Sequence, residues 1–395
     1  MGGSISRAGA AMADGTTEER GRLGELAALF LRLGVTAFGG PAAHIAMMQD
    51  EVVERRKWLT SEEFLDLLGA TNLIPGPNST EMAIHIGHRR AGWVGLIVAG
   101  VCFIFPAALI TLALAWVYVR FGSVPEARGI LYGVKPVIIA VVLQAIWGLG
   151  KSALKTKPLM ALGAVTLAAS FFGVNELVLL LGAGALTVFG RFWSRRGAPP
   201  GASVLQIAPV ALGTMSSGVG AFSPLKLFLV FLKIGAILFG SGYVLLAFLR
   251  ADLVDRLHWM TEKQLIDAVA VGQLTPGPVF STATFIGYVV GGGTGAVLAT
   301  LGIFLPSFFF VAVSGALIPR LQRSAGARAF LDGVNVASLA LMTAVTWDLG
   351  RAALVDAATV ALAVASAILL LRFKINSAWL VVGGAALGFV LKALL

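Results

Sequence analysis

"TNLIPGPNSTEMAIH", residues 71–85, places a Pro-Gly-Pro inside a mostly apolar run, where two prolines break any continuous helix. About two hundred residues later the chain repeats the interruption in "QLTPGPVFSTATF", residues 273–285. The surroundings make this costly. The 395 residues are 57% hydrophobic and 13% charged, with a mean hydropathy of +0.88. Soluble domains carry roughly 25% charged residues. Apolar runs of about 20 residues, the length that crosses a bilayer core as helix, recur from residue 23 onward. The composition therefore reads as a polytopic all-α membrane protein, with the lipid bilayer as its solvent.

The formal charge of +10 does not point to nucleic acid. Its basic residues cluster at the ends of apolar runs, as in Arg89–Arg90, Lys151/Lys155/Lys157, Arg195–Arg196 and Arg320/Arg323/Arg328. That pattern orients membrane segments. The single cysteine, Cys102, lies within an apolar run and reads as a small core residue. Residues 1–22 are polar, lack the layout of a signal peptide, and read as a cytoplasmic tail.

The chain is duplicated. "FLRLGVTAFGG" (30–40) matches "FLKIGAILFGS" (231–241), and the same offset pairs Trp58 with Trp259, Asp66 with Asp267, and "LIPGP" with "LTPGP". After a one-residue slip, "GVKPVIIA" (133–140) matches "GVNVASLA" (333–340). Each copy reads as six membrane segments: near 23–48, 64–87, 93–119, 130–150, 157–173 and 175–193, then near 225–249, 265–289, 295–318, 330–350, 352–371 and 376–394. This divides the chain into a tail (1–22), a first repeat (23–196), a linker (197–224) and a second repeat (225–395). Basic residues sit at opposite ends of corresponding segments in the two copies, so the copies are expected to be inverted, which needs an odd linker span near 203–222 and about 13 spans in all. Whether 41–62 crosses the membrane, lies at its surface or forms a re-entrant hairpin with the Pro-Gly-Pro segment is left open.

A helix broken in lipid strands peptide groups, so each Pro-Gly-Pro must face protein or a water-filled cavity. The break yields a fresh helix N-terminus, with Pro77 and Pro278 suited to its first position. Such ends attract anions through free donors and aligned dipoles. Candidate ligands are Gly76, Asn78, Ser79 and Thr80 in the first copy, and Gly277, Ser281 and Thr282 in the second. A tight turn that binds nothing is the plain alternative.

Arg32 and its repeat partner Lys233 place cations within spans, where each costs at least about 2.5–3.5 kcal/mol on insertion scales. Two at equivalent positions suggest a pseudo-symmetric anion site. Just downstream, Gly39 and Gly40 in "FGGP", and the glycines of "FGSG", allow close backbone approach or a helix break; close helix packing explains them equally well. Glu81, His85 and His88 share one helix face and are coupling candidates, against an interfacial cluster beside Arg89–Arg90. Asp348 either carries protons or pairs with Lys135 or Lys233. Asp66 and Asp267 are explained by helix N-terminal placement. No cofactor motif or metal-ligand cluster is visible.

Together "FGGPAAHIAMM", the Trp-Leu-Thr before an acidic helix, and "LIPGPNSTEMAIHIGHRRAGW" resemble the chromate ion transporter family in its long-chain form. The resemblance implies a multi-pass protein of the bacterial inner membrane that exports chromate and confers resistance. Sulfate, another tetrahedral dianion, is the alternative substrate, and a homodimer is compatible with the sequence. A membrane-embedded enzyme is the reading of another class, opposed by the absence of a clustered nucleophile and base.

Overall fold

The computed structural model describes residues 3–38, 40–121, 125–193, 222–239, 244–373, 375 and 377–394. Every regular element among them is helical, in two series of the same order. The first comprises α1 (Gly3–Thr36), α2 (Gly40–Gln49) running into a π-helical turn (Asp50–Arg55), α3 (Ser61–Thr71), α4 (Asn78–Phe121), α5 (Pro125–Ala153), α6 (Lys157–Phe171) and α7 (Glu176–Trp193). The second comprises α8 (Pro224–Ile237), α9 (Leu245–Leu249) with its π turn (Arg250–Arg256), α10 (Glu262–Leu274), a 3₁₀ turn (Val279–Ser281), α11 (Thr282–Arg323), α12 (Ala325–Ala353), α13 (Ala357–Phe373) and α14 (Ser377–Leu394). The expected linker span lies outside the described residues, apart from Phe222. The N-terminal stretch read as a tail is helical from Gly3 and continues into α1.

The duplication extends to local devices. Lys57 and His258 both follow a π turn with positive φ (54° and 50°). Thr60 and Thr261 then close capping boxes with Glu63 and Gln264, which fixes the starts of α3 and α10. Ala91–Gly92 and Gly291–Gly292 leave helical geometry within α4 and α11. Gly92 and Gly292 there have φ of 58° and 62°. Each long helix is thus a hairpin of a short arm and a long arm. A side chain at Gly87 would strike the Gly95 carbonyl, and Thr284 hydrogen-bonds Thr300 at 2.7 Å across the second hairpin.

This corrects the segment reading at three places. The expected spans near 64–87 and 265–289 are not single helices: α3 is 11 residues long and α10 is 13, and each is separated from the following short arm by residues of the Pro-Gly-Pro stretch. Helices of that length rise about 16–20 Å, short of a ~30 Å hydrocarbon core. The run near 23–48 is likewise divided, since α1 ends at Thr36 and α2 begins at Gly40. Among the described residues, four stretches are long and apolar enough to cross a bilayer: Asn78–Phe121, Gly129–Lys151, Val279–Ser314 and Ala325–Ala353.

The two series interlock. α1 packs on α4 and α8 on α11, each within its own copy. By contrast, α5 lies against α13 and α14 of the second series, and α12 against α6 and α7 of the first. Close approach is enabled by Gly133 against Gly384 and Gly388, and by Gly333 against Ala183 and Thr187. α4 meets α11, and α5 meets α12, along the centre. Each partner choice has its reciprocal, the signature of an approximate two-fold relation.

Candidate functional site

The centre of that relation is where the two Pro-Gly-Pro stretches lie. Gly76 has φ of 137° and Gly277 has φ of 82°, conformations open to glycine. The Gly76 N–H donates to the Leu238 carbonyl at 2.7 Å, and the Gly277 N–H donates to the Ala37 carbonyl at 2.9 Å. Ala37 and Leu238 are equivalent residues, just past the last turns of α1 and α8. Each interrupted helix is therefore stitched to the end of the other copy's first helix. The peptide groups freed by one break are met by the other.

The flanking packing is reciprocal as well. A Cβ on Gly76 would lie 2.8 Å from Ser307 Oγ on the long arm of α11. One on Gly277 would lie 2.9 Å from Ala107 Cβ on the long arm of α4, and 3.0 Å from the Gly34 carbonyl. Pro77 and Pro278 precede the first helical residues rather than occupying that position: Pro278 is extended (φ −62°, ψ 127°), and the Pro77 carbonyl accepts from the N–H groups of Thr80 and Glu81. Asn78 and Val279 thus head their turns.

Ser79, Thr80, Ser281 and Thr282 are all buried at these tips. Thr111 Oγ1 donates to Ser281 Oγ at 3.2 Å, and Thr282 Oγ1 donates to the Val279 carbonyl at 2.7 Å. Thr80 Oγ1 and Ser307 Oγ make no hydrogen bond among the described residues. Asn78 Nδ2 donates to Asn72 Oδ1 at 2.7 Å. Gly39 lies outside the described residues, as do positions 240–243, while Gly40 opens α2 with φ of 79°.

Glu81 has no exposed surface, and neither carboxylate oxygen has a hydrogen-bond partner among the described residues. Its Oε1 lies over Gly76, where a Cβ would collide with it. The alternative of an interfacial cluster is corrected here. Arg89 is taken by Glu63 at 3.2 Å and Arg90 by Glu25 at 3.0 Å. The His88 ring stacks edge-on against Trp93. His85 is buried one turn beyond Glu81, with Nε2 unpartnered.

The two predicted cations occupy equivalent settings that sequence reasoning missed. Arg32 pairs with Glu51 at 2.6 Å, and Lys233 pairs with Asp252. Glu51 also receives Arg55 and Arg56, and Asp252 also receives Arg256 at 2.7 Å. Glu51 and Asp252 share the repeat offset, which was the available signal. Glu176 of α7 acts electrostatically on the second cluster, so the surplus of positive charge is clearer around Arg32.

Asp348 pairs with neither Lys135 nor Lys233. It faces Arg250 at 3.3 Å, which also holds Asp255 and Glu262. Asp348, Arg250 and Asp255, with Glu176 and Arg256, line a cavity of about 560 Å³ between α9, α12 and the α6–α7 turn. Lys135 instead meets Asp267 at 2.8 Å, and Asp267 accepts a hydrogen bond from Tyr118 at 2.9 Å. Asp267 is 1% exposed and bridges the copies, whereas Asp66 is exposed. Helix placement alone explains only the second.

The profile of the chromate transporter family matches residues 24–188 and again residues 225–389. The chain belongs to the chromate transporter family. A chromate transport protein of Cupriavidus metallidurans is 36% identical over 92% of this chain and 92% of its own length. One from Pseudomonas aeruginosa is 34% identical over 83% of this chain and 81% of its own. An uncharacterised transporter of Bacillus subtilis is 30% identical over 39% of this chain but 89% of its own, about the size of one copy. No solved structure gives a significant match. The chromate transporter family is one of transporters rather than enzymes, and its membership together with the apolar helices makes this a multi-pass membrane protein.

Proposed function

We propose that this chain is a secondary active transporter that exports chromate across the bacterial inner membrane and so confers chromate resistance. The observation that carries the reading is the reciprocal pair of Pro-Gly-Pro tips, each bound to the other copy. Two helix starts brought together from two copies form the pseudo-symmetric cradle that a tetrahedral oxyanion requires, and relatives named as chromate transport proteins supply the anion. In this reading the tips lie near mid-depth, the copies are inverted about a linker span (about 13 spans over repeats 23–196 and 225–395), and alternating access exposes the site to one side at a time.

Directional donors come from the backbone at Asn78, Ser79 and the glycines 39 and 40, and from the hydroxyls of Thr80 and Ser281; Gly76, Gly277 and Thr282, whose own donors are held by Leu238, Ala37 and Val279, shape the tips. Arg32 and Lys233 supply charge. Arg32 can serve although it is paired: about half of its side chain is exposed, and a guanidinium has five donors to share between Glu51 and an oxyanion.

The test is labelled-chromate uptake into everted vesicles, with and without a large sulfate excess, against Arg32→Ala. Uptake that resists sulfate and is lost in the variant, at equal membrane expression, is the expected result. Uptake erased by sulfate makes the chain a general oxyanion carrier. Undiminished uptake by Arg32→Ala removes that residue from the site.

A further inference from the structure

We infer that Glu81 carries a proton together with the anion, so that chromate and one proton cross in the same direction; this rests on the transport reading above. Three polar groups converge at the first tip without partners among the described residues: both Glu81 oxygens, Thr80 Oγ1 and Ser307 Oγ, each on a side chain with no exposed surface. Glu81 and Ser307 both lie over Gly76, whose missing Cβ leaves room for Glu81 Oε1.

An ionised carboxylate beside a dianion is repelled, and burial without a donor or cation disfavours it further. A neutral carboxylic acid has the opposite character, because its O–H can donate to an oxyanion. Loading the anion therefore requires Glu81 to hold a proton. By reciprocity, the proton helps the anion to bind by the same factor.

Other ionisable groups on the packed elements are engaged elsewhere or stand apart. On α1, Arg32 is held by Glu51. On α2, His44 Nε2 sits 3.1 Å from the Ala37 carbonyl. On α3, Glu63 is bound to Arg89, and Glu62 and Asp66 are exposed. On α10, Asp267 is taken by Lys135. The long arm of α11, residues 293–314, contains no ionisable side chain. Among the described residues, His85, one turn along the same face of α4 with Nε2 unpartnered, is placed to relay the proton.

The two tips are unequal in this respect. The position equivalent to Glu81 is Thr282, and the one equivalent to Ser307 is Ala107. One tip holds a proton-bearing group, and the other holds hydroxyls alone.

The experiment uses the full chain in liposomes loaded with a pH-sensitive dye at alkaline pH, where chromate is the dianion, with an inward chromate gradient. Wild-type uptake should acidify the lumen, and whatever chromate Glu81→Gln still takes up should enter without acidification, so that the reading is protons moved per labelled chromate. Wild-type uptake with no lumen change, or with alkalinisation, overturns the inference while leaving chromate transport standing. Equal acidification by Glu81→Gln also overturns it. No chromate uptake by the wild type overturns the transport reading and this one together. The wild-type arm decides whether a proton crosses, and Glu81→Asp, which keeps the acid, should retain the wild-type ratio of protons to chromate; loss of that ratio there overturns the inference even where Glu81→Gln is poorly expressed.

Discussion

Among the described residues, the buried carboxylates Glu51, Asp252 and Asp267 each face a cation. The first two pairs are local to one copy and were encoded in the repeat register. The third joins α5 of the first copy to α10 of the second, and nothing in linear spacing announces it. Removing one partner of such a pair leaves the other charge buried, at a cost of about 3–5 kcal/mol. Lys135→Met should therefore lower the melting temperature of the detergent-solubilised protein sharply, and the double variant Lys135→Met/Asp267→Asn should recover most of the loss. Asp66→Asn, at the exposed counterpart, should leave it unchanged. A double variant no better than the single one would show that the pair contributes nothing as a pair. Glu81 was legible as a candidate from its position on a helix face. Its setting was not, because Ser307, which shares the space over Gly76 with it, comes from α11, more than two hundred positions away.

The elements divide at places that composition blurs. Two prolines around a glycine mark the tips plainly, and Gly-Gly marks the α11 turn, yet hydropathy runs straight through both. A membrane segment counted by its apolar length therefore merges a short helix, a tip and a short arm into one span, as near 64–87. What decides these boundaries is backbone geometry and the partner that satisfies it. The same geometry separates glycines that need space from those that need only a conformation. Gly277→Ala should abolish transport, because the left-handed backbone costs about 1–2 kcal/mol and the new methyl also meets Ala107 and Gly34. Gly292 (φ 62°, ψ −154°) sits in a region almost restricted to glycine, at about 1–3 kcal/mol for another residue, but nothing lies within 4 Å of its added carbon, so Gly292→Ala should keep more activity than Gly277→Ala. Chromate resistance at matched expression distinguishes them; equal loss in both would remove packing from the account of the tip.

At the scale of the molecule, the duplication was readable and the interlocking was not. Repeat matching says which residues correspond, but not whether a copy packs on itself or on its twin. Because α5 seats on α13 and α14, and α12 on α6 and α7, neither copy is a closed body. Expressed separately, residues 1–200 and 201–395 should each fail to confer chromate resistance, and co-expression should restore it; activity from either fragment alone would contradict the interlocked packing. In this arrangement any rigid bodies that rock during transport are made from both copies. Moving the proton with the anion also leaves one net negative charge per cycle instead of two, about 2.3 kcal/mol of driving force per 100 mV. Fusion gives the unequal tips their meaning. In a symmetric pair of single-copy chains every residue near the axis comes twice, so an acid there would face its own image and the like charges would have to share one proton. A fused chain is free of that obligation: it can keep Glu81 in one copy and Thr282 in the other, so that under the proposed coupling the proton count of a cycle would be one by inheritance instead of by symmetry.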